Sequence, residues 1–135
     1  MSILDELVSE AYNTYTHNSF DDFLRSLDFN KCTAVTVVTL DNQVTNGGFE
    51  QWYDNNYDVA FPLFKKSLSA MNSDTARQVL DLVDQAMCRC GYNELLPSSS
   101  ETEEYEDCDD LDKSYYDLRE RFLDEVEQFL QARMK

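Results

Sequence analysis

Apolar residues recur along this chain at intervals of three and four, the period of an α-helix with one buried face. Between residues 3 and 16 they are Ile3, Leu4, Leu7, Val8, Ala11, Tyr12 and Tyr15, with Ser2 placed to cap and Asp5 and Glu6 in the first turn. Ser19 is a second cap. It opens a short helix with Asp21 and Asp22 in its first turn and Phe20, Phe23, Leu24 and Leu27 on its apolar side. A helix over 58–70 accommodates Pro62 only in its first turn, where no N–H is needed. Asn72-Ser73-Asp74 caps the clearest helix, buried through Ala76, Val79, Leu80, Val83, Ala86, Met87 and Cys90 and closed by Gly91. The last helix, 113 to 133, buries Tyr115, Leu118, Phe122, Val126, Phe129 and Leu130.

One segment pulls the other way. Thr33-Ala34-Val35-Thr36-Val37-Val38-Thr39-Leu40 is β-branched and has the propensity of a buried strand. Yet Ala34, Val37, Val38, Leu40 and Val44 share a helical face, and Asn46-Gly47-Gly48 is a helix stop. No second run exists to pair with it, and a lone strand leaves its backbone unsatisfied. The segment is therefore expected to be helical, followed by a short helix from Phe49 to Tyr53 that ends in Asp54-Asn55-Asn56. The expectation is an all-α fold, a single compact multi-helix domain over residues 1–135 with about six to seven helices. Residues 93–112 form an acidic connector before the C-terminal helix: Leu96-Pro97-Ser98-Ser99-Ser100, then eight acids and no base over 101–112.

Charge changes the picture more than composition does. Twenty-seven acids against eleven bases give −16 in 135 residues, a length that buries a core without disulfides or metal. Duplex nucleic acid and anionic membranes require Lys and Arg to neutralise phosphate, so neither is an expected partner. A cationic protein surface is, and such surfaces belong above all to proteins that bind nucleic acid. The N-terminus has no basic stretch followed by an apolar one, and no apolar run approaches the length of a membrane span, so the expected location is the cytoplasm. Oligomeric state stays open, a homodimer included.

Catalytic and metal chemistry find little support. Cys32, Cys88, Cys90 and Cys108 with one histidine, His17, fall short of a zinc set and read as reduced thiols. Gly47-Gly48 lacks the lysine of a phosphate loop, and no D-x-D-x-D-G calcium pattern occurs. No catalytic residue, metal or cofactor is expected, and the chain reads as a non-enzyme.

The arrangement of the charge is more informative. Asp117, Glu120, Asp124 and Glu127 recur at i, i+3, i+7 and i+10, opposite the apolar stripe of the last helix. No lysine interleaves them, although Arg119 and Arg121 flank the row, and like charges so spaced cost stability. With Asp107, Asp109, Asp110 and Asp112 just upstream, they form two adjacent rows of candidate partner-binding carboxylates.

The run Asn46-Gly47-Gly48-Phe49-Glu50-Gln51-Trp52-Tyr53-Asp54-Asn55-Asn56 resembles the N-G-G-F-x-Q-[aromatic]-x-x-N signature of a family of bacterial DNA-mimic proteins. The likeness extends through 74–90 to Leu111-Asp112-x-x-Tyr115-Tyr116, roughly residues 33–130. It implies an all-helical fold and an acidic surface that occupies the DNA site of a transcription factor or nucleoid protein. The motif itself reads as structural. Gly47 and Gly48 stop a helix, Phe49 and Trp52 fill the core, and Asn46, Gln51 and Asn56 bond to backbone. The expected function is inhibition or sequestration of a basic DNA-binding protein (a transcription factor, nucleoid protein or defence nuclease). The alternative is an immunity or adaptor module that binds its partner through a mixed or hydrophobic surface.

Overall fold

The segment that resembles a strand is the central helix. A computed structural model describes residues 2–13, 19–95 and 108–134, with the backbone alone for 92–95. In it α3 spans Phe29–Asp54. Thr33, Ala34, Val35, Thr36 and Val37 are all buried in succession, so the helix has no solvent face there and no amphipathic signature. Its threonines lose their need for water by donating to the preceding turn. Thr33 reaches the Phe29 carbonyl at 2.8 Å and Thr36 the Cys32 carbonyl at 2.9 Å.

Around it pack α1 (Ile3–Asn13), α2 (Phe20–Arg25), α4 (Phe61–Met71), α5 (Asp74–Leu95) and α6 (Asp109–Arg133), with a 3-10 turn at Tyr57–Ala60 before α4. The chain is a compact, all-helical domain, and no strand occurs among the described residues. The main core joins Leu4 and Leu7 of α1, Val37, Leu40 and Val44 of α3, Val79 and Val83 of α5, and Tyr115, Phe122, Val126 and Leu130 of α6. A smaller cluster gathers Ala11, Phe23, Leu24, Cys32, Val35 and Ala60. Ser73, the residue before α5, lies against Glu125 near the end of α6, while Arg89 late in α5 reaches Asp110 at the start of α6. The two helices therefore run antiparallel.

Ser19 Oγ accepts from the Asp22 N–H at 3.1 Å, as its position demands. Pro62 sits in the first turn of α4, again as required. Several details differ from expectation. Gly91 does not close α5, because its φ is negative and a single helical glycine costs only about 1 kcal/mol; the helix continues to Leu95. The last helix starts at Asp109 rather than 113, so Asp109, Asp110 and Asp112 form its first turn, where acids suit the helix dipole. Tyr12, expected in the α1 stripe, is 46% exposed with its ring 5.0 Å from that of Phe23. Tyr15, His17 and residues 96–107 lie outside the described residues.

Candidate acidic interface on the C-terminal helix

The backbone break at Gly48 explains the central motif. Gly48 has φ +82°, which divides α3 into two helical segments. The second needs a cap, and Asp112 of α6 supplies it by accepting from the Phe49 N–H at 2.9 Å. A Cβ on Gly48 would stand 2.4 Å from that carboxylate. Phe49 and Trp52 are buried as expected. The amides do something else: Asn46 Nδ2 donates to Gln51 Oε1 at 3.1 Å, and Gln43 Oε1 accepts from Gln51 at 2.9 Å and from Asn55 at 2.8 Å. Asn46 and Gln51 thus join a side-chain ladder across the break rather than bonding to backbone, while Asn56 adopts the left-handed conformation. Gly47 leaves room for that ladder, since a Cβ there would meet Gln51 Oε1 at 2.0 Å.

Along α6 the carboxylates fall into two sets. Asp117, Glu120 and Asp124 are exposed, opposite the buried Tyr115, Phe122 and Val126. Asp109 and Asp110 are exposed in the first turn. Arg89 forks onto Asp110 at 2.6 and 3.2 Å and holds that carboxyl below the usual range. The second set is structural. Asp112 caps Phe49, and Glu127 is half-buried, accepting from the Ile3 N–H at the start of α1. Asp107 lies outside the described residues.

The flanking cations also divide. Arg119 turns inward and grips Asp41 of α3 at 2.6 and 3.0 Å, and the buried Tyr115 hydroxyl donates to the same carboxylate at 2.7 Å. The bond to Asp41 pushes the Arg119 pKa up. Burial pushes up that of Tyr115, with the neighbouring Asp41 charge next. Arg121 and Lys113 remain exposed on the same side as the acidic row.

The two helices that pack against the ends and side of α6, α1 and α5, expose further acids, which sequence periodicity does not connect to the α6 row. The Ile3–Glu127 bond sets the first turn of α1 against α6, and α1 exposes Asp5, Glu6 and Glu10. On the other side α5 exposes Asp74, Asp81 and Asp84; Arg77 pairs with Asp74, and Gln85 donates to Asp81 at 2.7 Å. One signal was available: no base occurs before Arg25, so α1 is uniformly acidic. Among the described residues no cluster of His, Cys, Asp or Glu is arranged to hold a metal, and no helix is long and apolar enough to cross a membrane.

Comparison with known proteins gives one family match. The family model for the DMP19-like proteins, a family of DNA mimics, matches residues 25–133, from the end of α2 to the end of α6. No curated protein and no solved structure matches the chain.

Proposed function

The chain belongs to the DMP19-like protein family, and from that premise we propose that it binds and inhibits or sequesters a basic DNA-binding protein by presenting carboxylates in place of phosphates. The observation that carries this reading is the exposed row Asp117, Glu120 and Asp124 on α6; α1 and α5, which pack against α6, expose further acids. Two nearby cations are drawn away from it, Arg119 to Asp41 and Arg89 to Asp110.

Magnitudes decide how much of the surface must take part. From Asp110 to Asp124 α6 rises about 21 Å. That stretch carries four exposed carboxylates, offset by Lys113, Arg121 and the Arg89 fork on Asp110. Duplex DNA carries one charge per about 1.7 Å of axis, or about 3.4 Å per strand. One helix therefore falls short of even one strand, and the acids of α1 and α5 have to contribute. The partner is a transcription factor, a nucleoid protein or a defence nuclease whose DNA site is the surface covered.

The test captures partners from the native host on the immobilised protein and elutes with duplex DNA. Elution of a DNA-binding protein, and its loss with the Asp117→Asn, Glu120→Gln, Asp124→Asn triple variant, is expected. Retention by the triple variant in the presence of excess DNA overturns the reading. A second reading has its own observation: Tyr12, Phe20, Asn55 and Tyr57 line a shallow hollow of about 600 Å³, the kind of mixed surface an adaptor or immunity module uses. Under that reading partner binding is indifferent to DNA and falls on substitution of Tyr12 and Tyr57.

A further inference from the structure

One cavity has cations at its rim. It measures about 330 Å³ and opens between α2 and α4, lined by Leu24, Leu27, Phe29 and Leu63 with Cys32 and Ser67, and bordered by Arg25 and Lys66. Its volume is at the lower end of small-molecule sites, which pair apolar walls with a few polar groups. Arg25 bonds to Asp21 at 3.0 Å, and Lys31 pairs with Asp28 at 4.0 Å. Those two acids thus have cationic partners of their own at the surface. Lys66 and its exposed neighbour Lys65 form no ion pair among the described residues. Lys66 is thus the cation at the cavity rim with no ion pair among the described residues, and charges farther off are screened beyond about 8 Å at physiological salt.

We propose that this cavity binds a small amphipathic anion, a carboxylate on a short aliphatic or single-ring aromatic stem, with the stem against Leu27, Phe29 and Leu63 and the carboxylate at Lys66. The interior already accounts for its own polar groups: the Thr33 hydroxyl donates to the Phe29 carbonyl at 2.8 Å, and its oxygen lies 2.7 Å from Ser67 Oγ. An apolar stem thus strands no buried donor. Cys32 offers no covalent chemistry. Burial, then the nearby Asp28, pushes its thiol pKa up, so no thiolate nucleophile is present at neutral pH. Binding is reversible. It is independent of the partner surface on α6.

The probe is octanoate, with octan-1-ol as the uncharged counterpart, titrated into the full-length protein and followed by heteronuclear NMR and calorimetry. Saturable binding is expected with a dissociation constant on the order of 1 mM or tighter, which about ten heavy atoms deliver at ordinary ligand efficiency. Octan-1-ol should bind at least about tenfold more weakly, since it lacks the charge-assisted contact. Lys66→Glu, on the surface and harmless to the fold, should weaken octanoate about tenfold or more. Leu27→Trp, which fills the cavity, should abolish binding while circular dichroism reports an intact fold. The proposal is overturned if octanoate does not saturate, if octan-1-ol binds as well, or if the Lys66→Glu protein binds octanoate like wild type. The last result would place any ligand elsewhere.

Discussion

Asp112 and Phe49 are 63 positions apart, yet the carboxylate of one accepts the backbone N–H of the other at 2.9 Å. This bond caps the second segment of α3 from outside, and Gly48 is the residue that lets the carboxylate approach. Removing it through Asp112→Ala should cost about 1–2 kcal/mol, the range of a lost N-cap. Gly48→Ala should cost about as much or more, because φ +82° strains an L-residue and its Cβ meets Asp112. In urea denaturation the double variant should fall short of the sum by at least about 0.5 kcal/mol, since the Cβ then meets nothing. Strict additivity would show that the two residues act separately.

Arg119 and Tyr115 together supply the hydrogen bonds to the Asp41 carboxylate inside the protein. Arg119→Met should destabilise by about 2–3 kcal/mol, the lower part of the range for breaking a buried pair, because its side chain is 38% exposed. Adding Asp41→Asn should recover part of the loss by removing the unpaired charge. Thermal melts of the two variants decide it, and a further loss in the double variant would contradict this account.

Tyr115 makes stability depend on alkaline pH. Its pKa is raised in the folded state, so above about pH 10 the unfolded chain releases a proton that the folded chain retains. That difference lowers stability as pH rises, by up to about 1.4 kcal/mol per pH unit, and leaves it flat below. Tyr115→Phe should lose about 1 kcal/mol at pH 7 and show a shallower fall than wild type between pH 10 and 11. Parallel pH profiles would mean that Tyr115 ionises in place.

The carboxylates of α6 should separate by role. The Asp117→Asn, Glu120→Gln, Asp124→Asn triple variant should match wild-type stability within about 0.5 kcal/mol, or exceed it as repulsion is relieved. Glu127→Ala should cost about 1 kcal/mol and raise hydrogen exchange in the first turn of α1, because Ile3 loses its acceptor. Partner binding should respond in the opposite sense, falling for the triple variant chiefly through a slower association rate that steepens at low salt. Equal stability losses for both proteins would erase the distinction.

At −16 with no basic face around α6, the protein itself should not retain duplex DNA. A mobility-shift assay at low salt reads this directly, and saturable micromolar binding would end the mimic proposal.

Local chemistry in the sequence carried most of the helices. The Ser19 cap, the position of Pro62 and the helix stop at Asn46-Gly47-Gly48 are each legible from residues within a few positions of one another. The choice of helix for 33–40 rested on the absence of a pairing strand, and burial of α3 on every side accounts for its strand-like composition. The candidate surface was less legible. Periodicity placed Asp117, Glu120, Asp124 and Glu127 on one face, but not the contact that ties Glu127 to a residue 124 positions away. Nor could it show Asp112 turned toward Gly48 or Arg119 turned toward Asp41. Long-range pairs of this kind decide which charges meet solvent, and they leave no periodic trace.

The helix that bears the acidic row is pinned at Phe49, Asp41, Ile3 and Ser73. Its stiffness has a consequence for the kind of protein it can deceive. A docking partner freezes only side chains on such a surface, about 0.5–1.5 kcal/mol each, and no backbone. Duplex DNA, in contrast, bends and kinks under proteins that draw affinity from deforming it. A clamped helix cannot follow that deformation. On the proposed function, the surface favours proteins that grip an undistorted phosphate backbone and discriminates against those that recognise DNA by bending it.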